Sequence, residues 1–272
     1  MAEFLGSIHT PYLHHLAVDE TLSQWTEIAV ITLLEDISRH VHLQELRICL
    51  RRIVTTSFTS IETLFGLTRL RSLSLQGIDF LLENDTIQQF GRAWPTLETF
   101  RLDWAPYQGD PSLFTLDALE LFAIHLPHLN KITVYLDATH LPPSPSSNYR
   151  DVSTIRPDIG VDFSLGVSRS PVKESIATQI AEYIARIYPH ANIQSLDFNS
   201  SEESKRQNKI WREIDRMSYR NQQYPGTISD LVQPSSQHLY RQLRKVPLAH
   251  TGMSFLGGCC SGSPFRILHE RD

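Results

Sequence analysis

The string GCCSG at 258–262 is the one stretch of this 272-residue chain that resembles a catalytic motif. It places Cys260 where the nucleophile stands in a G-x-C-x-G elbow, a strand-to-helix turn that exposes the reactive atom. In hydrolases such an elbow precedes its acid and base partners in the chain. Only ten residues follow Gly262, and His269 is the one histidine among them. We therefore interpret the string as part of a Gly/Ser-rich tail and predict no catalytic residue.

Metal and cofactor chemistry finds no support in the sequence either. The histidines cluster mildly, as the pair His14-His15 and as His40 and His42, but no carboxylate or cysteine stands at metal-ligand spacing from them. The chain contains no H-E-x-x-H helix, no Walker glycine loop and no G-x-G-x-x-G turn. We expect neither a metal nor a cofactor.

The composition is that of a globular protein, with 41% hydrophobic and 20% charged residues. A net charge of -5 gives no concentrated basic surface for nucleic acid, and no apolar run reaches the length needed to cross a bilayer. The start MAEFLGSIHT lacks the basic region of a secretory signal, and three cysteines form no disulfide framework. We expect a cytoplasmic or nuclear protein that binds neither nucleic acid nor membrane.

A strand signature recurs along the chain and indicates how its polar residues are positioned. LTRLRSLSLQGIDF, at 67–80, matches the L-x-x-L-x-L strand of leucine-rich repeats. Similar segments recur at intervals of 27 to 33 residues, and helical patterns lie between most of them. The middle apolar positions of the seven predicted strands are Leu16, Leu46, Leu73, Phe100, Ile132, Phe163 and Leu196.

Two α/β architectures alternate strands and helices in this way. A doubly wound sheet usually has central strands that are apolar on both faces, whereas Leu46-Arg47-Ile48 and Leu73-Ser74-Leu75 alternate. We therefore predict an irregular leucine-rich-repeat solenoid, a horseshoe of about seven strand-helix units with one wet, concave face. It should be irregular because the asparagine that usually follows the strand is missing.

We predict three regions. Residues 1–202 form the solenoid, 203–222 a charged capping helix, and 223–272 a poorly ordered tail. A Pro/Ser-rich stretch at 139–158 replaces one helix, either as a functional loop or as a tolerated insertion.

The predicted binding residues lie on the concave face, beside the middle apolar position of each strand. Arginine, tyrosine and tryptophan carry much of the energy of protein interfaces because they combine large buried surface with directional hydrogen bonds. Two alternatives stay open: Trp104 could pack under a neighbouring loop, and the arginines could pair with Glu45 or Asp103. The predicted binding residues are Glu45, Arg47, Arg101, Asp103, Trp104, Lys131 and Tyr135.

The segments WPTLETFRLDW, LDALELFAIHLPHLNKITVYLDAT and SLGVSRSPV together give the chain a family resemblance. From about Leu67 to Ile214 it resembles the leucine-rich-repeat region of fungal F-box-type proteins. The resemblance implies a substrate receptor in cullin-type ubiquitin ligation, whose repeats hold the target. The chain enters a predicted strand by Leu13, so we expect it to lack an F-box.

These observations predict a non-enzymatic protein-protein recognition module that binds a protein partner on its concave face. The resemblance adds a ubiquitin-ligase adaptor as a second partner. Two alternatives stay open: an α/β-fold enzyme of unknown chemistry, and a purely structural scaffold.

Overall fold

The computed structural model describes residues 12–20, 25–80, 82–103, 114–142, 163–168, 170–188, 191–196 and 202–223. Within them, seven parallel strands form one sheet, and the strands follow one another across it in chain order. The strands are β1 (His15–Glu20), β2 (Glu45–Thr56), β3 (Ser72–Phe80), β4 (Thr99–Asp103), β5 (Lys131–Val134), β6 (Phe163–Ser168) and β7 (Ala191–Leu196).

Helices occupy the segments where the sequence shows helical periodicity. In α1 the Thr26 hydroxyl caps the first turn by accepting a hydrogen bond from the Ala29 amide, at 3.3 Å. Two short 3-10 turns extend the helical segments at Thr63–Gly66 and Glu174–Ile176. The helices are α1 (Glu27–Ser38), α2 (Phe58–Glu62), α3 (Thr86–Ala93), α4 (Asp117–His125), α5 (Ala177–Ile187) and α6 (Glu202–Gln223).

The predicted fold class, an irregular leucine-rich-repeat solenoid, is wrong. The chain is an α/β fold in which a central, continuously hydrogen-bonded parallel sheet and its helices share one hydrophobic core. The sequence pattern does not separate the two architectures, because strands in which apolar and polar residues alternate, each followed by a helix, occur in both. The units also differ in shape, since β2 has twelve residues and β5 has four.

The sheet has one buried face and one more accessible face. On β3, Leu73 and Leu75 are fully buried, whereas Ser72 and Ser74, which alternate with them, are only half-buried. The buried face packs against aromatic side chains of the strands and helices; the ring centroids of Phe100 and Phe122, for example, lie 5.6 Å apart. We call the other face, which carries the residues alternating with the buried ones, the open face.

The register of the last two strands differs from the prediction. The row through Leu16, Leu46, Leu73, Phe100 and Ile132 continues through Leu165 and Ile193. Phe163 and Leu196, predicted for these places, lie two positions before and three positions after them. In GVDFSL the apolar residues alternate in a single frame, so the pattern gives the correct face but not the position along the strand. NIQSLDF has apolar residues in both frames, so alternation alone could not choose between them.

Helix α6 covers the predicted position of a capping helix at 203–222 and packs against α5 and β7. Its apolar side, which includes Trp211 and Ile214, joins the core that contains the sheet. The predicted tail beyond Gln223, and the 139–158 stretch after residue 142, lie outside the described residues. Among the helices described, none is both long and apolar enough to cross a membrane.

Candidate protein-binding face

Parallel pairing aligns the open-face residues of neighbouring strands into three rows that run across the sheet. Row one contains His15, Glu45, Ser72, Thr99, Lys131 and Asn192. Row two, two residues further along each strand, contains Ala17, Arg47, Ser74, Arg101, Thr133 and Gln194. Row three contains Asp19, Cys49, Gln76 and Asp103.

Four of the seven predicted binding residues come together in the first two rows. Glu45 and Lys131 lie exposed in row one, and Arg47 and Arg101 share row two. Asp103 takes a place in row three through its backbone, and its side chain lies outside the described part of the structure.

The two predicted aromatic residues do not extend this group. Trp104 lies outside the described residues. Tyr135 follows β5 and is half-buried; its burial, and next the Asp137 carboxylate, raise the pKa of its phenol. Its hydroxyl therefore stays protonated at neutral pH and can donate a hydrogen bond.

The charged residues of the first two strands form pairs across those strands. Arg47 Nε lies 3.7 Å from Asp19 Oδ1, and His15 Nδ1 lies 3.0 Å from Glu45 Oε2. The prediction missed His15 and Asp19 because it named no residue of β1. The alternation rule would have found both, since His15, Ala17 and Asp19 flank the buried Leu16 and Val18.

Row two carries the group that is best suited to recognition. Arg47 and Arg101 stand on strands two apart, so their backbones lie roughly 10 Å from each other. Ser74 lies between them in the same row, and Ser72 and Thr99 are its neighbours in row one. Guanidinium forks bind carboxylates and peptide carbonyls in fixed geometry, and the hydroxyls add short-range donors and acceptors. The arrangement fits a polar protein surface.

Row three adds a half-buried thiol. Cys49 Sγ donates a hydrogen bond to Gln76 Oε1 at 3.2 Å. The contact joins β2 to β3 on the open face and orients the Gln76 amide group.

One contact outside the rows contains the residue types of a catalytic triad. Thr139 Oγ1 donates to Asp137 Oδ1 at 2.6 Å and lies 2.8 Å from His140 Nδ1. In a triad the carboxylate orients the imidazole, whereas here it accepts from the hydroxyl and from the Thr139 amide. The contact is a local turn in which an aspartate accepts from the backbone two residues later.

Two further observations bear on chemistry. Among the described residues, no group of three or more His, Cys, Asp or Glu side chains is placed to hold a metal. The described strands show no reversal of strand order, which is where open α/β sheets form a ligand crevice.

Comparison with known proteins does not assign the chain to a family. No protein-family model matches the chain, and no curated protein is significantly similar to it in sequence.

Proposed function

We propose that this protein is a non-enzymatic recognition module that binds a protein partner through the open face of its sheet. The observation that carries the proposal is the placing of Arg47 and Arg101 in one row, with Ser74 between them. A hydrogen-bonded sheet holds these side chains at a fixed spacing, so little backbone entropy is lost when a partner binds. Arginines in such positions are frequent centres of binding energy.

The charge on the two arginines provides the test. The double variant Arg47→Glu/Arg101→Glu is compared with Arg92→Glu/Arg212→Glu, which changes the same charge at exposed helix positions of α3 and α6. We expect the open-face variant to lose at least about tenfold in affinity for a captured partner, since truncating one such residue commonly costs more than about 1 kcal/mol. Circular dichroism verifies that both variants fold. Equal binding by the two variants would contradict the proposal and favour a scaffold role.

A role in ubiquitin ligation remains a prediction that rests on the sequence resemblance. Affinity capture of the full chain, followed by mass spectrometry, addresses it directly. Recovery of a cullin adaptor, retained by the open-face variant, would support separate sites for adaptor and target. Recovery of other reproducible partners without an adaptor would contradict the ligase role and leave the recognition module intact.

A further inference from the structure

The two edges of the sheet are protected differently. At the β7 edge, Asp215 Oδ1 of α6 accepts a hydrogen bond from the Ile193 amide at 2.9 Å, which satisfies an edge donor. Nearby, Trp211 Nε1 donates to the Ser170 carbonyl and Gln207 Oε1 accepts from the Val172 amide, both at 2.8 Å. Helix α6 therefore closes this edge, as sheets require if they are not to pair with other chains.

At the opposite edge, β1 pairs with β2 on one side, and no other described strand pairs with it. The His14 carbonyl accepts from the Gln44 and Glu45 amides, at 2.8 and 3.0 Å, so it points toward β2. Because backbone groups alternate in direction along a strand, the amides and carbonyls of His15, Ala17 and Asp19 point outward. Within β1 there is no proline, lysine or bulge, which are three of the devices that blunt an edge; its charged residues Asp19 and Glu20 stand at its C-terminal end.

The sequence of β1 is complementary to itself when it runs antiparallel. With Ala17 opposite Ala17 of a second copy, His15 of each copy faces Asp19 of the other, and Leu16 faces Val18. His15 Nδ1 already lies against Glu45 and Asp19 Oδ1 against Arg47, so each new pair joins the other imidazole nitrogen to the other carboxylate oxygen. Two alanines meet at the two-fold axis. The three outward-facing residues of each copy are also the ones that can exchange backbone hydrogen bonds in this register.

We propose that β1 is a self-association edge, through which two copies of this chain pair antiparallel and join their sheets into one. The pairing is isologous, as a closed dimer requires. It also joins the two open faces side by side, which gives a bivalent surface for a partner with repeated epitopes. A contact of one short strand buries little area, so the dimer should be weak and depend on concentration.

Charge variants at the two-fold axis test this pairing. In Ala17→Glu or in Ala17→Lys, like charges meet directly across the axis, so each variant alone should remain monomeric by sedimentation velocity. An equimolar mixture of the two should form heterodimers, because the opposite charges then face each other. The wild-type chain should shift from monomer to dimer as concentration rises toward about 1 mM, the range of a weak contact.

A disulfide provides a second readout if the charged variants lose their circular dichroism signal. Hydrogen-bonded antiparallel pairs have Cα atoms about 5.5 Å apart, within the range that a disulfide can bridge. Ala17→Cys, in a Cys259→Ser/Cys260→Ser background, should therefore give a covalent dimer under mild oxidation, and the exposed control Thr68→Cys should not. A wild-type chain that stays monomeric throughout the range would overturn the proposal, as would a charge mixture of folded variants without heterodimers. Equal crosslinking of both cysteine variants would also overturn it.

Discussion

At the scale of single residues, Gly77 shows how one backbone position shapes the middle of the sheet. Its φ of 77° lies in the left-handed region, which favours glycine because other residues there crowd the carbonyl group. The register explains why this geometry is needed: β2 takes five steps from Cys49 to Val54, whereas β3 takes two from Gln76 to Ile78. The extra β2 residues bring the Leu50 carbonyl oxygen to 2.3 Å from where a Cβ of residue 77 would stand.

We therefore expect Gly77→Ala to lower the free energy of unfolding by at least about 2 kcal/mol, from left-handed strain and the clash together. Gly66 is the matched control, because no atom lies within 4 Å of its added Cβ and its φ is not positive. Gly66→Ala should change stability by less than about 1 kcal/mol. Urea unfolding of the two variants measures both values. Equal effects would show that the close approach of Leu50 is not a constraint in solution.

At the scale of elements, the sequence predicted which segments are strands and helices better than how they pair. Alternation located β1 to β5, because the apolar residues of each lie on the buried face, as Leu73 and Leu75 show; on β5 the open-face Thr133 is buried as well. For β7 it favoured Leu196, which is wrong, because pairing with Leu165 places Ile193 in the buried row. Asp19 and His15 of β1, the partners of Arg47 and Glu45, were within reach of the same alternation rule, but the prediction named no residue of that strand.

The fold class failed for a related reason. The repeat interval and the one-sided strands describe each unit, whereas fold class depends on how units assemble around a shared core. Residues as distant in the chain as Leu13 and Met217 belong to one core cluster. Nothing in the local spacing of apolar residues reports such a connection.

Helix α6 gives a prediction at this scale, because its Asp215 carboxylate accepts a hydrogen bond from the edge strand β7. Asp215→Ala leaves the Ile193 amide without its acceptor, which should cost about 1–3 kcal/mol. The exchange rate of that amide with solvent should rise more than those of the central strands, and hydrogen exchange measures this. Glu213→Ala is the control: Glu213 lies on the exposed side of α6 and pairs with Arg216 at 3.2 Å, a surface contact of small value.

The same carboxyl should add a pH dependence. Burial raises the pKa of Asp215 above its ordinary value of 3.8, against the opposing effects of the Ile193 amide and Arg216. The folded state therefore holds this proton more tightly than the unfolded state, and its contribution to stability declines as pH rises from 3.8 through the raised pKa. Asp215→Asn keeps an acceptor oxygen and removes the titration, so its denaturation midpoint should fall less over this range. A parallel decline in both proteins would rule out Asp215 as the source.

At the scale of the whole molecule, the junction between β5 and β6 holds the two halves of the sheet together. The strands pair there, and the Ser170 hydroxyl accepts from the Leu136 amide at 2.8 Å. Behind the sheet, two tyrosines of the α5 segment reach back to α4. The Tyr183 hydroxyl donates to the Leu116 carbonyl at 3.2 Å, and the Tyr188 hydroxyl to the Leu119 carbonyl at 3.0 Å. These contacts span more than sixty residues of chain.

Both tyrosines are buried, and the Tyr183 hydroxyl also has the Glu120 carboxylate within hydrogen-bonding reach. Burial, followed by the Glu120 carboxylate, raises the pKa of Tyr183, which keeps its hydroxyl protonated and able to donate. These contacts and the pairing of β5 with β6 join the two halves of the sheet, so weakening them should lower the free energy of opening the smaller half more than that of the larger half. Tyr183 and Tyr188 are therefore expected to contribute to the cooperativity of unfolding as well as to the free energy of unfolding.

The variant Tyr183→Phe/Tyr188→Phe should accordingly split unfolding into two steps. Each substitution removes one buried hydrogen bond from a carbonyl that keeps its backbone donor, at about 0.5–1.5 kcal/mol each, and the cost falls on the junction. Hydrogen exchange under rising urea should show α5 and α6 losing protection before β2 and β3, whereas the wild-type chain loses protection in one transition. Tyr219→Phe, at an exposed position of α6, is the control and should leave the single transition unchanged. Simultaneous loss of protection on both sides of the junction in the double variant would mean that pairing of β5 with β6 and the shared core suffice to couple the halves.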